Sequence, residues 1–252
     1  MVPLSALLRL QNVSRRYGGL KAVDDVSFEV APSEIVGLIG PNGAGKTTLM
    51  NLISGVTPLS AGEITLDGTR IDGLPPHRVA RMGVARTFQV MRPFPGLSVR
   101  ENVAIGARFG CRDNEGGIAA ALERADAALE RTGLGPRGAQ PVSALTTADR
   151  KKLELARALA MEPRILLLDE ALGGLNPREV GEMMELVRAV NATGIAVLFI
   201  EHVMKAVMGL CQRVVVLHHG RSIATGTPAQ IVADGAVVKA YLGERYKQAS
   251  SS

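Results

Sequence analysis

The chain has 252 residues, 46% hydrophobic and 21% charged, with a formal net charge of +5 from 29 Lys plus Arg and 24 Asp plus Glu. That is a globular composition, long enough for a real core in one sizeable domain or two small ones, and it excludes a disordered chain. The small positive surplus is not the strong basic stripe expected of a duplex-binding protein, and with no Trp, three Tyr and five Phe a base-stacking platform would be short of material.

Residues 1–12, MVPLSALLRLQN, carry no basic leader before their apolar stretch and read as mature protein rather than a secretory signal. No apolar run along the chain reaches the roughly 18 residues of a membrane-spanning helix. Leu7 to Val13 and Val26 to Val30 are predicted as early strands, and Ile35 to Ile39, apolar on both faces and β-branched, as a buried one. It runs into a glycine-rich turn at Gly40, and Lys46 to Ser54 then reads as a helix closed by Gly55. Glu63 to Leu66, the Asp67-Gly68 turn and Thr69 to Ile71 form a predicted hairpin. Arg78, Arg81, Arg86, Arg92 and Arg100 read as a solvated basic face. Ile118, Leu122, Ala125 and Leu129 lie at helical spacing between clusters of Gly and Pro, so residues 92–145 read as a helical subdomain inserted into an α/β core. A helix is predicted over Arg150 to Met161, with Leu153, Ala156 and Leu159 inward, and a buried strand over Ile165 to Leu168. Asn176-Pro177 with Glu179 has the pattern of a capped helix start, with Val180, Met183, Met184, Val187 and Val190 as its core face. Ile195 to Ile200 and Val214 to Leu217 complete the strands. Strands joined by helices imply a parallel sheet covered on both faces. Two cysteines, Cys111 and Cys211, are too few for a metal cluster or a disulfide framework and fit a reducing compartment.

The strongest chemical signal is GPNGAGKTT, Gly40 to Thr48. It matches the phosphate-loop pattern G-x-x-x-x-G-K-[ST], with a strand before it and a helix after it. Small residues from Asn42 through Gly43, Ala44 and Gly45 let backbone N–H groups converge on phosphate oxygens, and the helix N-terminus adds positive charge. Lys46 is suited to the β/γ-phosphates and the Thr47 hydroxyl to Mg²⁺, with Thr48 completing the loop. A second signal is ILLLDE. Asp169 at the strand end can orient Mg²⁺ or its water shell, and Glu170 can act as the base that polarises the attacking water. Together these imply nucleotide triphosphate hydrolysis.

With these motifs the chain resembles an ATP-binding cassette (ABC) nucleotide-binding subunit, with ATP as the nucleotide. The resemblance implies a P-loop NTPase core of RecA-like α/β type, with an antiparallel β subdomain and an inserted helical subdomain. It divides the chain into a core at 1–91 and 146–225, the helical subdomain at 92–145 and a C-terminal helical tail at 226–252. It implies that Tyr17 stacks on adenine. Gln89 in ARTFQ senses Mg²⁺ and the lytic water, and His202 in IEH contacts the γ-phosphate. His77, His218 and His219 take no role. GGLKAVDDVSFEV, RMGVARTFQ, FPGLSVRENV, GLNP and the C-terminal IEHVMKAVMGLCQRVVVLHHG, ATGTP and AYLGE are similar to ATPases of branched-chain amino acid importers. That subfamily implies a second ABC ATPase, two transmembrane permease subunits and a periplasmic solute-binding protein. It implies a peripheral location on the cytoplasmic face of the inner membrane. The loop Met91 to Leu97 would receive a short permease helix.

The sequence departs from the family where a signature loop LSGGQ is expected. Here it is Leu145-Thr146-Thr147-Ala148-Asp149. Thr146 keeps a hydroxyl, but Thr147 and Ala148 add Cβ atoms where a phosphate must approach, and Asp149 adds a carboxylate. In the family each subunit's signature completes the other's phosphate-loop site. A heterodimer is therefore favoured over a homodimer, with the site on Lys46 and Glu170 competent and the site that borrows LTTAD weak. Ala171 in place of a common proline, and Asn176 in place of a common aspartate, are smaller departures. Rival readings are the ATPase of a lipid or lipopolysaccharide exporter, a soluble ABC protein acting on nucleic acid or ribosomes, and a weakly hydrolytic ATP-gated scaffold.

Overall fold

A computed structural model describes residues 6–87, 93–110 and 116–240. The chain forms two compact units, one of residues up to Leu74 and from Ala196 onward, the other Pro75–Ile195.

The first unit begins with β1 (Leu8–Tyr17) and β2 (Leu20–Val30), both longer than the predicted strands because their outer halves pair as an exposed ribbon. Inward residues Leu8, Leu10 and Val13 alternate with exposed ones on β1. Asn12 interrupts the ladder at φ 51°, and its side-chain amide donates to Asp25 Oδ1 at 2.8 Å. Asn tolerates this left-handed geometry better than most residues. β3 (Ile35–Ile39) is wholly buried, as its apolar run predicts, and α1 (Lys46–Ile53) buries Leu49, Met50, Leu52 and Ile53. β4 (Ala61–Leu66) and β5 (Thr69–Arg70) form the predicted hairpin, with Asp67 and Gly68 both at positive φ. The antiparallel sheet has strand order β2-β1-β4-β5.

In the second unit, α2 (Pro76–Arg81) leads to β6 (Val84–Arg86), a strand too short to announce itself in the sequence pattern. α3 (Val99–Gly110) and α4 (Gly117–Arg131) come next. The buried stripe of α4 is Ala121, Ala125, Ala128 and Leu129, while Ile118 is 74% exposed. The predicted stripe is therefore out of phase at its start. α4 packs on its neighbours through alanines, which let helix axes approach, and Ile118 in the first turn lies outside that seam.

α5 (Thr147–Leu159) starts three residues before the predicted Arg150, because Thr146 caps it. β7 (Ile165–Asp169) is fully buried and pairs in parallel with β6. α6 (Pro177–Ala192) has the predicted capping box, with Asn176 Oδ1 accepting from Arg178 and Glu179 amides and Glu179 accepting from the Asn176 N–H in return.

The chain returns to the first unit through β8 (Ala196–Ile200), α7 (Met204–Leu210), β9 (Arg213–His218), β10 (Arg221–Gly226) and α8 (Pro228–Ala233). Here the strand order is β10-β9-β3-β8, with β3 parallel to both β8 and β9, and β10 added antiparallel at the edge. Cys211 is a buried free thiol whose pKa burial pushes up to about 12, so it stays protonated and inert. Cys111 lies outside the described residues.

Glu154 on α5 is buried at 8% exposure, and burial pushes its carboxyl up to about 7, opposed by the charges of Lys151 and Arg157. The ordinary value is 4.5. Between these values the folded protein holds one proton more than the unfolded chain, so stability falls as pH rises through this window and stays low above it. The full shift corresponds to about 3 kcal/mol. Glu154→Gln removes the penalty, so its melting temperature should exceed wild type by roughly 6–12 °C at pH 8, with little gain at pH 5. Melting curves at the two pH values check the sign.

Candidate functional site

The phosphate loop lies in the first unit, between β3 and α1. Gly40 and Gly45 are required by space. A Cβ on Gly40 would strike the carbonyl oxygen of Leu217, and one on Gly45, at φ 103°, would strike that of Ala22. The loop is buttressed from the same sides, since the Gly220 amide donates to Ala44 O at 3.0 Å and the Asp24 amide to Gly220 O at 2.8 Å. Ala44 is buried and its amide donates to Pro41 O at 3.1 Å, so its backbone serves the turn. Asn42, Gly43 and Thr47 are exposed. α1 carries no side-chain N-cap, and a helix N-terminus favours an anion through its amides and dipole. Lys46 Nζ donates to the carbonyls of Gly40 at 2.6 Å and Pro41 at 2.9 Å, folding its charge over the mouth of the loop. This geometry suits an anion, and a charged donor already sits where phosphate oxygens would arrive.

Tyr17 ends β1 with 45% of its surface exposed, and the Arg15 guanidinium carbon lies 4.6 Å from its ring centroid. A cation on one face leaves the other available for stacking on a base. His202 is exposed in the turn after β8, immediately past the buried Glu201. His218 and His219 sit where β9 turns into β10, their ring centroids 4.1 Å apart. They flank the Leu217 and Gly220 backbone groups that brace the loop.

The acidic motif lies in the second unit. Asp169 ends β7 at 4% exposure. Its carboxylate Oδ2 accepts from the Arg86 guanidinium at 2.9 Å, and the Arg86 side chain is only 6% exposed. The reading of Arg86 as part of a solvated face is thus overturned. β6 lies beside β7, with Arg86 opposite Leu167, and this register aims Arg86 at the strand's carboxyl end. Thr87 fastens the same place, its amide donating to Leu167 O at 3.0 Å and its Oγ1 accepting from the Asp169 amide at 3.3 Å. Glu170 then leaves the strand at φ 50°, a conformation that costs a non-glycine residue free energy and recurs at functional turns. Its carbonyl accepts from Lys151 Nζ at 3.2 Å and from the Gly173 amide at 3.2 Å.

In the loop before α5, the Thr146 hydroxyl donates to Asp149 Oδ2 at 2.6 Å and accepts from the Asp149 amide at 3.2 Å. Arg137 pairs with the same carboxylate at 2.8 Å. The Asp149 charge is therefore already partnered within this unit. Gln89, Met91 and Arg92 lie outside the described residues. The segment from Phe94 to Ser98 is well fastened: the fully buried Asn102 accepts from the Phe94 amide at 2.8 Å and donates to Phe94 O, Leu97 O and Ser98 O. Arg86, Arg137 and the Leu217–Gly220 brace carry no pattern in the sequence that would single them out, because each acts through tertiary placement.

A P-loop between a buried parallel strand and a helix, and a buried strand ending in Asp-Glu, define a nucleotide-hydrolysing protein of the P-loop class. Comparison with known proteins gives the family. The ABC transporter model matches residues 23–173, and the model described as branched-chain amino acid ATP-binding cassette transporter matches residues 221–247. The chain is 41% identical over 250 residues to the high-affinity branched-chain amino acid transport ATP-binding protein LivG of Escherichia coli K12, covering 94% of this chain and 98% of LivG. It is 36% identical over 245 residues to the lipopolysaccharide export system ATP-binding protein LptB of Acidithiobacillus ferridurans, covering 97% of this chain and all of LptB. A crystal structure of an ABC transporter cassette in its ADP conformation superposes with a TM-score of 0.85 at 28% identity, covering 94% of this chain and 99% of that one. The chain belongs to the ABC transporter family, in the branch of the branched-chain amino acid cassettes. It is an ATP-binding and ATP-hydrolysing subunit that energises a transporter.

Proposed function

We propose that this chain uses Mg²⁺-ATP to drive import of branched-chain amino acids or closely related small solutes. The observation that carries this reading is its 41% identity to LivG along nearly the whole of that protein. In it the chain works at the cytoplasmic face of the inner membrane with two permease subunits and a second ABC ATPase, and a periplasmic protein delivers the solute. Among the described residues, no helix is long and apolar enough to cross a membrane, so the permease would supply the path.

The residue roles combine the chemistry of the phosphate loop and acidic motif with those that the family resemblance implies for Tyr17, Gln89 and His202. Tyr17 stacks on adenine. The amides around Gly43 and Gly45 and the Lys46 ammonium hold the phosphates. The Thr47 hydroxyl and the Asp169 carboxylate are hard oxygen donors. Among the described residues, no cluster of three His, Cys, Asp or Glu could hold an ion without further ligands. Each of these two oxygens is a donor of the type that suits Mg²⁺, which binds through one or two protein oxygens together with nucleotide phosphates. When bound, the ion neutralises charge on the β- and γ-oxygens. Glu170 takes a proton from the attacking water, His202 contacts the γ-phosphate, and Gln89 senses the ion and the water. Residues 92–145 act as the helical subdomain, and the loop from Met91 to Leu97, in which Asn102 fastens Phe94 and Leu97, receives the permease helix.

Lys46→Ala removes the mobile charge of the cradle, and affinity for a fluorescent ATP analogue should fall by roughly 10- to 100-fold, read by direct titration. The decisive experiment for the whole reading is uptake of labelled leucine by proteoliposomes holding this chain, its ATPase partner and both permeases. ATP-dependent accumulation supports import. Outward lipid movement without accumulation would assign the chain to the exporter reading that its likeness to LptB represents.

A further inference from the structure

Asp169 has a metal role above, but its buried partner Arg86 has none. Asp169 is 4% exposed and the Arg86 side chain 6%. Burying a carboxylate this deep without a positive charge beside it is costly. Arg86 supplies that charge through Oδ2. Among the described residues, the other polar contact of Asp169 is its backbone amide on Thr87 Oγ1. Oδ1 is therefore the oxygen left over for a second cation. Arg86 also lines a cavity of about 140 Å³ with Glu154 and Arg157.

We propose that Arg86 is a positioning residue of the metal site: it is the resident counter-ion of Asp169, and the Mg²⁺ carried by the nucleotide competes with it for that carboxylate. The inference rests on the metal role given to Asp169. Two cations on one carboxylate repel each other, so Arg86 holds Asp169 aimed while weakening its hold on the ion. The free-energy consequence is negative coupling between Arg86 and Mg²⁺. Removing the guanidinium should tighten Mg²⁺, a result that a merely structural role would not produce.

The test is a Mg²⁺ titration of the full chain at pH 8 with a fluorescent ATP analogue at fixed concentration. Arg86→Met should lower the half-saturating Mg²⁺ by roughly tenfold. Arg86→Lys, which keeps the charge, should stay near wild type. Arg86→Gln is neutral but can still donate to Oδ2, and it should shift in the same direction as Arg86→Met even if the latter folds poorly. In an Asp169→Asn background the Arg86→Met effect should vanish. An unchanged or higher Mg²⁺ requirement in the neutral variants overturns the inference, and so does a shift that persists in the Asp169→Asn background. The underlying reading is tested separately by Asp169→Asn alone. If that variant leaves the Mg²⁺ requirement unchanged, the metal role of Asp169 falls and takes this inference with it. If it raises the requirement while the Arg86 variants do nothing, only the inference falls.

Discussion

Glu170→Gln should bind ATP with near wild-type affinity and lose roughly 10²- to 10³-fold in steady-state hydrolysis, the range expected when a positioned general base is removed. The substitution is nearly isosteric. The backbone of residue 170 is held independently of its carboxylate, by Lys151 and the Gly173 amide on its carbonyl, so the turn at φ 50° should persist. Asp169 and the Arg86 pair are untouched, and the phosphate loop belongs to the other compact unit. The loss should therefore appear in kcat and not in nucleotide affinity, which separates a missing base from a damaged binding site. The measurement pairs phosphate release with titration of a fluorescent ATP analogue. Turnover within a factor of two of wild type would remove Glu170 from the catalytic role, and a parallel loss of affinity would assign it to binding instead.

What can be read from the sequence, and what cannot, divides along the range of the interactions. The phosphate loop is legible because its chemistry is local: a buried strand, small residues that admit backbone, a lysine and a helix start lie within Ile35–Ile53. The capped start of α6 is legible for the same reason, since Asn176 and Glu179 satisfy each other across three residues. The strand β6 has only three residues, too few to show a period, and its existence depends on pairing with β7. Arg86 shows the cost of this. Its neighbours in sequence suggest a solvated basic stretch, yet its partner lies 83 positions along the chain. The inward stripe of α4 departs from its sequence pattern because Ile118 looks like core by composition, whereas the seam is built from alanines whose value is their small size. The expectation that LTTAD is a weak signature rests on features that are partly local and partly not. The added Cβ atoms can be read directly, but the partner of Asp149 is Arg137, from the preceding segment.

That partner sets the size of the second large effect. If LTTAD completes the opposite nucleotide site, restoring a family-like loop with Thr147→Gly, Ala148→Gly and Asp149→Gln should raise hydrolysis by the isolated homodimer of this chain. An unpartnered carboxylate near triphosphate would cost on the order of 1–3 kcal/mol, or roughly 5- to 150-fold. Asp149, however, gives its charge to Arg137 at 2.8 Å and to the Thr146 hydroxyl at 2.6 Å, and it lies in the first turn of α5, where the helix dipole also opposes it. Partial neutralisation places the expected gain near the lower end, roughly 5- to 10-fold. Asp149→Gln alone releases Arg137 and Thr146 toward an incoming phosphate, and it should give about half of the logarithmic gain. The two added side chains at 147 and 148 account for the rest by steric exclusion. If the chain pairs with a second ATPase that carries an LSGGQ-like signature, mixing the two should raise turnover more than any of these substitutions. ATPase assays of the homodimer, the loop variants and the mixed dimer rank the three. Brisk turnover by the unmodified homodimer, equal to that of the mixed dimer, would show that the loop is competent as it stands and that the pairing with a second ATPase has another cause.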